Sequence, residues 1–191
     1  MTNKILNSVG YSGKVTLSIQ EGNKILKTQE FNNSGTSHLF SFFAHCLMGN
    51  FDEASLYRPT KIRLLKVNID ESTRAETSAE DASGLIYLRS RPERIYNPKT
   101  QGETVKLSFM VPRTMISAVG FNRIGLYPHF ASIEDIYDYS AYCDLSGNED
   151  LGVESYNAWT LSSVLLVDWE LTVSNKIIKT QDDMLSAGGS N

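Results

Sequence analysis

Cysteine, proline and long apolar runs are scarce in this chain of 191 residues, which has two cysteines and five prolines. Two cysteines cannot form the disulfide framework of a small secreted domain. Cys46 falls on the apolar side of a helical pattern, so we expect it to be a buried free thiol. No segment approaches the roughly 18 consecutive apolar residues that span a bilayer, and the N-terminus lacks the apolar core of a signal peptide. We therefore expect no membrane contact, and a protein that stays in the cytoplasm or leaves the cell by lysis.

Positive charge is also scarce, because the chain carries a net charge of -4 at pH 7 and has a pI near 5.4. Proteins that bind nucleic acids usually carry a basic patch, so we expect no nucleic-acid partner. The one local basic cluster is formed by Arg89, Arg91 and Arg94. Pro92 and Glu93 interrupt this cluster, which is typical of a solvated loop or, alternatively, of a contact between subunits.

The sequence motifs of common enzymes are absent: the chain has no G-x-G-x-x-G, no Walker A loop, no G-x-S-x-G and no H-E-x-x-H. Cys143 and His129 have the residue types of a nucleophilic site, but nothing in the sequence orients one toward the other. Carboxylate pairs for glycoside hydrolysis are available, yet 22 acidic residues are too many to single out one pair. We therefore predict that the protein is not an enzyme and has no catalytic residue and no cofactor.

Two short patterns contain the residue types of metal sites. His38 and His45 lie seven residues apart near Cys46, but a zinc site takes three or four ligands and no second ligand pair occurs. Residues 144–150, DLSGNED, are rich in oxygen atoms but lack the ligand spacing of an EF-hand loop. Serine, glycine and asparagine favour turns, so we interpret this segment as a hairpin turn. We predict no metal site.

Much of the chain shows the period-two alternation of apolar and polar residues that is typical of half-buried strands. The segments with this pattern are residues 14–20, 24–31, 61–69, 104–111 and 161–175, and 85–88 is a shorter apolar run. The first two flank a turn and predict a hairpin. A single helical pattern, with apolar residues at i, i+3, i+4, i+7 and i+8, covers about residues 37–48. We predict a mainly β fold, an antiparallel β-sandwich-like domain with this one amphipathic α-helix packed on it.

The segment 104–127 is the predicted centre of the sheet and is interpreted as two successive strands of one sheet. Its apolar phase shifts by one position after Asn122 and Arg123, which indicates a β-bulge at these residues. The alternating strand over residues 165–173 is the expected core partner of this pair.

A single β-rich domain is predicted for residues 1–180, because length and composition are those of an ordinary globular domain. Residues 1–13 are polar and predict an extended N-terminal arm. Residues 70–84 contain almost no large apolar side chain and predict a long polar loop, and residues 89–103 predict an irregular connection. Residues 181–191 predict a flexible C-terminal tail.

Candidate contact residues lie in the hairpin and in the polar connections. The predicted interface for assembly consists of Lys14, Thr16, Lys24, Lys27, Gln29, Asp70, Glu71, Arg74, Arg89 and Arg91. A second candidate is an aromatic recognition surface made of Tyr137, Tyr139, Tyr142 and Trp159. Aromatic side chains serve equally well as strand residues in a half-buried sheet, so both interpretations of these four residues stay open.

The block VGFNRIGLYP at residues 119–128 carries a resemblance to a known class of proteins. Its residues Ile124, Gly125, Leu126 and Tyr127, together with the later strand at residues 166–175, resemble parts of tail-fibre, tail-collar and baseplate-associated proteins of tailed bacteriophages. The chain has no fibre repeat, no collagen-like Gly-X-Y and no long coiled coil, so a fibre shaft is not expected.

The resemblance implies a non-enzymatic structural component of the virion that mediates assembly through repeated protein contacts in the tail, neck or baseplate. Its implied partners are copies of itself in a symmetric assembly and other virion proteins, in a particle that is assembled in the host cytoplasm. Two alternatives stay open. One is a capsid-decorating or fibre-anchoring head protein, and the other is a carbohydrate-binding β-sandwich that takes part in host recognition.

Overall fold

A computed structural model describes residues 6–70, 72–73, 75–97, 102–118, 120–145 and 159–178. In these residues the chain forms two antiparallel sheets and two α-helices. The predicted mainly β, sandwich-like architecture with a packed amphipathic helix is therefore confirmed. The predicted tail at residues 181–191 and the turn residues 146–150 lie outside the described residues.

The first sheet has five strands in the order β2-β1-β11-β8-β7. These strands are β1 (Leu6–Glu21), β2 (Lys24–Asn32), β7 (Glu93–Asn97), β8 (Gly102–Pro112) and β11 (Ser163–Ile178). The predicted hairpin is confirmed as β1 and β2, which turn at Gly22 with a φ of 56°. The expected partnership of the strand in 104–111 with the last strand is confirmed, since β8 pairs with β11.

The second sheet has the order β3-β10-β9-β4-β5, and β6 also pairs with β4. Its strands are β3 (Ser34–Gly35), β4 (Pro59–Ile69), β5 (Glu76–Asp81), β6 (Ile86–Tyr87), β9 (Arg123–Pro128) and β10 (Ala141–Asp144). The strand predicted over residues 61–69 is thus confirmed as β4.

The main core lies between the two sheets and joins apolar side chains of both. Leu17, Phe109 and Trp169 reach it from the first sheet, and Ile62 and Leu126 reach it from the second. All five are almost fully buried. Each side chain of this kind stabilises the fold by about 1.5 to 3 kcal/mol relative to an exposed position.

A smaller core lies on the opposite, outer face of the second sheet. Leu65, Val67 and Tyr127 point to this face and pack with Ala131 and Tyr139, which belong to the segment 129–140. This segment therefore covers the outer face of β4 and β9, so these central strands of the second sheet are buried on both sides over much of their length.

Two helices connect β3 to β4 of the second sheet. The predicted helix is confirmed as α1 (Ser37–Leu47), in which Leu39 is the buried residue. A second helix, α2 (Phe51–Tyr57), was not predicted, and the Asn50 side chain caps it by accepting a hydrogen bond from the Glu53 backbone N–H. The Thr36 hydroxyl donates to the Tyr139 carbonyl at 2.6 Å and thereby ties the start of α1 to the second sheet.

The prediction that residues 104–127 form two strands of one sheet is wrong. β8 belongs to the first sheet and β9 belongs to the second, so the chain crosses the sandwich between them. The shift in apolar phase at Asn122 marks this crossing and not a β-bulge, because the Asn122 side chain bonds the backbone N–H and C=O of Val67 before β9 begins. All six residues of β9 are buried.

Three predicted irregular regions contain strands. The polar loop at residues 70–84 holds β5, the connection at residues 89–103 holds β7, and residues 6–13 of the predicted N-terminal arm belong to β1. Backbone pairing with β4, β8 and β11 forms these strands without an alternating apolar pattern.

The cysteine prediction is corrected in one respect. Cys46 is a free thiol but only half-buried, because α1 lies at the surface of the domain, whereas Cys143 is free and buried in the main core.

Candidate functional site

Three basic side chains are buried on the outer face of the second sheet. Lys61 and Arg63 come from β4, and Arg123 comes from β9. Arg63 is 0% exposed and Arg123 is 3% exposed, although charged side chains are almost never buried unless they are paired. The partners of these three residues decide whether they form a ligand site or a structural one.

Lys61 and Arg63 bind the backbone of the covering segment 129–140. The Lys61 ammonium donates to the carbonyls of His129 and Ala131 at 2.8 and 2.6 Å. Arg63 donates from Nη2 to the carbonyls of Ser132 and Ile133 at 3.2 and 3.1 Å. Burial lowers the pKa of Lys61, with a further contribution from the charge of Arg63. These hydrogen bonds hold the segment against the sheet.

Arg123 connects β5 to β10 on the same outer face of the second sheet. It donates to the carboxylates of Glu76 and Asp144, each at 2.5 Å, and to the Tyr139 hydroxyl at 3.2 Å. Its guanidinium also lies 4.5 Å from the centroid of the Tyr142 ring. Burial lowers the pKa of Arg123, but the hydrogen bonds to Asp144 and Glu76 outweigh it and raise the pKa. The described partners of these basic residues belong to the chain itself, so we interpret the cluster as structural.

The four aromatic residues of the predicted recognition surface do not share one exposed surface. Trp159 is buried in the main core, between the sheets. Tyr139 is buried on the outer face of the second sheet, where its ring lies 5.2 Å from that of Tyr142. Tyr137 is exposed. The structure therefore brings Tyr139 and Tyr142 together and places the other two residues elsewhere.

The predicted interface residues of the hairpin lie on two different faces of the first sheet. Lys14 and Thr16 are on the outer face, where Lys14 forms an ion pair with Glu30 at 3.1 Å. Lys27 and Gln29 are opposite Ile19 and Leu17 in the pairing of β1 with β2, so they share the face of these core residues. Lys24 is exposed beside the hairpin turn.

The other predicted interface residues are scattered over the surface. The Asp70 carboxylate accepts hydrogen bonds from Ser72 and Thr73, which organise a local turn and lower the pKa of Asp70. Arg89 and Arg91 are exposed. Glu71 and Arg74 lie outside the described residues.

A surface that the sequence interpretation missed lies around α1. Residues 31–51 contain no Asp, Glu, Lys or Arg, and neither do residues 5–13. We use the name uncharged surface for the backbone edge of residues 6–13 of β1 together with the exposed and half-buried side chains of residues 11–13 and 32–51. The signal was readable in the sequence as two windows without charge in a chain of which 21% is charged.

Large apolar side chains are exposed on the uncharged surface. Leu47 at the end of α1 is 87% exposed, and Phe51 at the start of α2 is 70% exposed. Phe40 and Met48 are also exposed. Contiguous exposed apolar side chains of this kind mark sites of protein contact in soluble proteins.

Tyr11 connects the strand part of the uncharged surface to its helical part. Its ring centroid lies 6.4 Å from those of both Phe40 and Phe43. Its hydroxyl donates to Oδ1 of Asn33 at 2.6 Å, and burial raises its pKa. β1 and α1 therefore form one continuous surface.

The two histidines of α1 make ring contacts. The rings of His38 and His45 both stack on the ring of Tyr57, at centroid distances of 6.1 and 5.5 Å. In the described part of the chain, no group of three or more His, Cys, Asp and Glu side chains is placed to hold a metal ion. No helix among the described residues is long and apolar enough to cross a membrane.

Comparison with protein-family models, with curated proteins and with solved structures finds no match to the chain.

Proposed function

We propose that this chain is a non-enzymatic structural component of a tailed-bacteriophage virion, which assembles through repeated protein contacts in the tail, neck or baseplate. The observation that carries the proposal is the uncharged surface, with exposed apolar side chains on α1 and α2 beside a strand of the first sheet. Such surfaces are typical of proteins that bind other proteins.

The rest of the molecule supports a rigid body that presents this surface. The central strands β4 and β9 of the second sheet are buried on both faces, and Lys61, Arg63 and Arg123 fasten the segment 129–140 to them. A rigid body of this kind suits a particle in which many copies make the same contact.

The IGLY residues of the phage resemblance belong to that body and not to its surface. Ile124, Leu126 and Tyr127 are fully buried in β9, and Gly125 lies under the ring of Tyr127. The resemblance therefore supports a core structure that is shared with phage tail proteins. The exposed surfaces would determine where this chain binds in a particle.

Immunogold electron microscopy tests the proposal. An antibody raised against the purified chain is applied to phage particles purified from lysed cells that encode the chain. We expect label at one point of the tail, neck or baseplate. Label over the whole head would favour a capsid-decorating protein, label where fibres join the head would favour a fibre anchor, and unlabelled particles would refute a place in the virion.

A glycan array tests the competing carbohydrate-binding function on the same purified protein. We expect no selective binding, because Trp159 and Tyr139 are buried and do not form one platform with Tyr137. Selective binding that is lost on Tyr137→Ala would instead support a role in host recognition.

A further inference from the structure

Within the part of the chain that the structure describes, the first half of β1 has an open backbone edge. β11 pairs with β1 along the whole strand, from Leu6 to Glu21. β2 pairs with β1 only from Lys14 onward, because the chain leaves the first sheet after Asn32. Among the described residues, none pairs with the other edge of residues 6–12.

One hydrogen bond shows which residues of β1 point their backbone N–H and C=O groups toward this edge. The Asn33 N–H donates to the Gly13 carbonyl at 3.2 Å, so Gly13 directs its backbone groups away from β11. In an antiparallel strand the N–H and C=O of one residue point to the same edge, and successive residues alternate. Tyr11, Val9 and Asn7 therefore present both backbone groups to the open edge.

The open edge lacks the protection that the longer edge strands of this protein have. Charged side chains and prolines on edge strands prevent pairing with other chains. Three outer strands of the sheets contain such charges: Lys24, Lys27 and Glu30 in β2, Glu76, Glu80 and Asp81 in β5, and Glu93 and Arg94 in β7. The other outer strand of the second sheet, β3, is only two residues long. Residues 6–13, LNSVGYSG, contain no charged residue and no proline.

An apolar stripe of α1 lies next to this edge. Phe40, Phe43 and Leu47 are spaced i, i+3 and i+7, so they lie on one side of the helix. Phe40 and Phe43 contact Tyr11, and Leu47 continues the stripe beyond it. A strand that paired with the open edge would have apolar side chains of α1 beside it, which is the combination that strand addition requires.

We propose that the occupant of this edge is the same edge of a second copy of the chain, paired antiparallel so that the two Val9 residues face each other on a two-fold axis. Residue 7 of each copy then pairs with residue 11 of the other. The three resulting residue pairs form about six backbone hydrogen bonds, and the first sheets of the two copies become one continuous sheet. This proposal rests on the assembly role proposed above and identifies the β1 edge as the site where two copies bind each other.

Two observations favour a second copy over another partner. The residues with open backbone groups, 7, 9 and 11, are symmetric about Val9, and a two-fold contact requires this self-complementarity. Each copy carries a net charge of -4, and two copies repel each other least where neither surface carries charge. Residues 6–13 and 32–51 contain no Asp, Glu, Lys or Arg, so the proposed contact joins segments without formal charge.

Sedimentation velocity over a range of protein concentrations tests the contact. We expect a wild-type dimer, and we expect Val9→Pro to raise the dimer dissociation constant about tenfold or more, because proline removes the N–H at the axis. The Val9 N–H faces away from β11, so the intramolecular ladder keeps its bonds. Thr28→Pro on the exposed strand β2 is the matched control and should leave the dimer unchanged. Circular dichroism shows whether each variant is folded.

A cysteine variant tests the register of the contact between the two copies, and it also tests the contact itself if Val9→Pro does not fold. In a Cys46→Ser background, Val9→Cys should form a disulfide-linked dimer on mild oxidation, since paired strand residues are close enough for a disulfide. Thr28→Cys in the same background should stay a monomer on a reducing-agent-free gel. A wild-type monomer at every concentration, a dimer that survives Val9→Pro, or the absence of a Val9→Cys cross-link would each overturn the proposal.

These outcomes are separable from those for the proposed function. Particles that carry the label while the dimer survives Val9→Pro would keep the virion role and move the contact to another surface. Unlabelled particles together with a dimer that depends on Val9 would keep the contact and remove the virion role.

Discussion

Tyr11 donates its hydroxyl hydrogen to Oδ1 of Asn33 at 2.6 Å, at the point where β2 ends and the chain turns toward the second sheet. This bond fixes the start of the open edge, because Asn33 also donates its backbone N–H to Gly13. A Cβ on Gly13 would lie 1.8 Å from Oδ1 of Asn33, so glycine is needed at this position for the Asn33 side chain to lie across β1.

Loss of this hydrogen bond should weaken the fold without changing its core. We expect Tyr11→Phe to lower the free energy of unfolding by about 1 kcal/mol, since one partly buried side-chain hydrogen bond is removed and the ring contacts remain. Urea unfolding measures the change. Tyr96→Phe removes a hydroxyl from an exposed ring and is the control, for which we expect a change within about 0.5 kcal/mol. Equal effects of the two variants would mean that the Tyr11 bond contributes nothing.

Arg123 should be the most sensitive charged position of the second sheet. We expect Arg123→Met to lower the free energy of unfolding by about 2 to 3 kcal/mol, because Glu76 and Asp144 lose their partner. The two carboxyl side chains are 34% and 41% exposed and keep access to water, so the cost is below that of a fully buried pair. Urea unfolding of the variant at neutral pH gives the value.

Two further variants define the role of Arg123. Arg123→Lys keeps the charge but loses the second donor and the stacking on Tyr142, so we expect an intermediate loss. Arg94→Met breaks the exposed ion pair with Glu103 and should leave the free energy of unfolding nearly unchanged. A loss for Arg94→Met as large as that for Arg123→Met would contradict a special role of the buried site.

The strands with one buried face were readable from the sequence. In β11, Leu165, Val167 and Trp169 alternate with polar residues, and all three are fully buried. Alternation identifies a strand but not the sheet to which the strand belongs. For that reason β8 and β9 were assigned to one sheet, although the chain between them crosses the sandwich.

The missed elements lack a side-chain pattern of their own. β5, with the sequence ETSAED, has no large apolar residue, and it forms through backbone bonds to β4. The burial of Arg63 was also missed, because a charged residue in a strand normally indicates a solvent-exposed face. Arg63 is buried only because segment 129–140 folds over β4. The open edge at residues 6–12 depends on where β2 ends, and the sequence predicts such boundaries poorly.

The stability of the fold should decrease at alkaline pH. Burial raises the pKa of the Cys143 thiol to about 12 from an ordinary value of 9.0. Below pH 9 the thiol is protonated in both the folded and the unfolded state, so its contribution to stability is fully present. Above pH 9 the unfolded thiol ionises first, and the free energy of unfolding falls by about 1.4 kcal/mol per pH unit from this group until the folded thiol ionises as well.

Urea unfolding at a series of pH values from about 8 to about 11 measures this slope. Burial also raises the pKa values of Tyr11 and Tyr127, which add to the fall at the upper end of the series. Cys143→Ala should be less stable at pH 8, because it leaves a cavity, and should show a shallower slope above pH 9. An unchanged slope in Cys143→Ala would show that this thiol is not one of the groups responsible.

Gly125 should be required for the position of the Tyr127 ring. A Cβ on Gly125 would lie 2.7 Å from Cε2 of Tyr127, so the ring occupies the space above the glycine. From there the Tyr127 hydroxyl donates to the Ile136 carbonyl at 2.5 Å and holds the segment 129–140 on the sheet. We expect Gly125→Ala to lower the free energy of unfolding by about 1 to 3 kcal/mol, because the added methyl group overpacks this site.

A double-mutant cycle tests whether Gly125→Ala destabilises the fold by crowding the Tyr127 ring or by changing the backbone of β9. In a Tyr127→Leu background the space above residue 125 is less crowded, so Gly125→Ala should cost at least about 1 kcal/mol less than in the wild type. The four urea unfolding curves of the cycle give this coupling directly. If Gly125→Ala lowered the free energy of unfolding equally in both backgrounds, the loss would arise from the backbone of β9. Contact with the Tyr127 ring would then not explain why glycine occurs at residue 125.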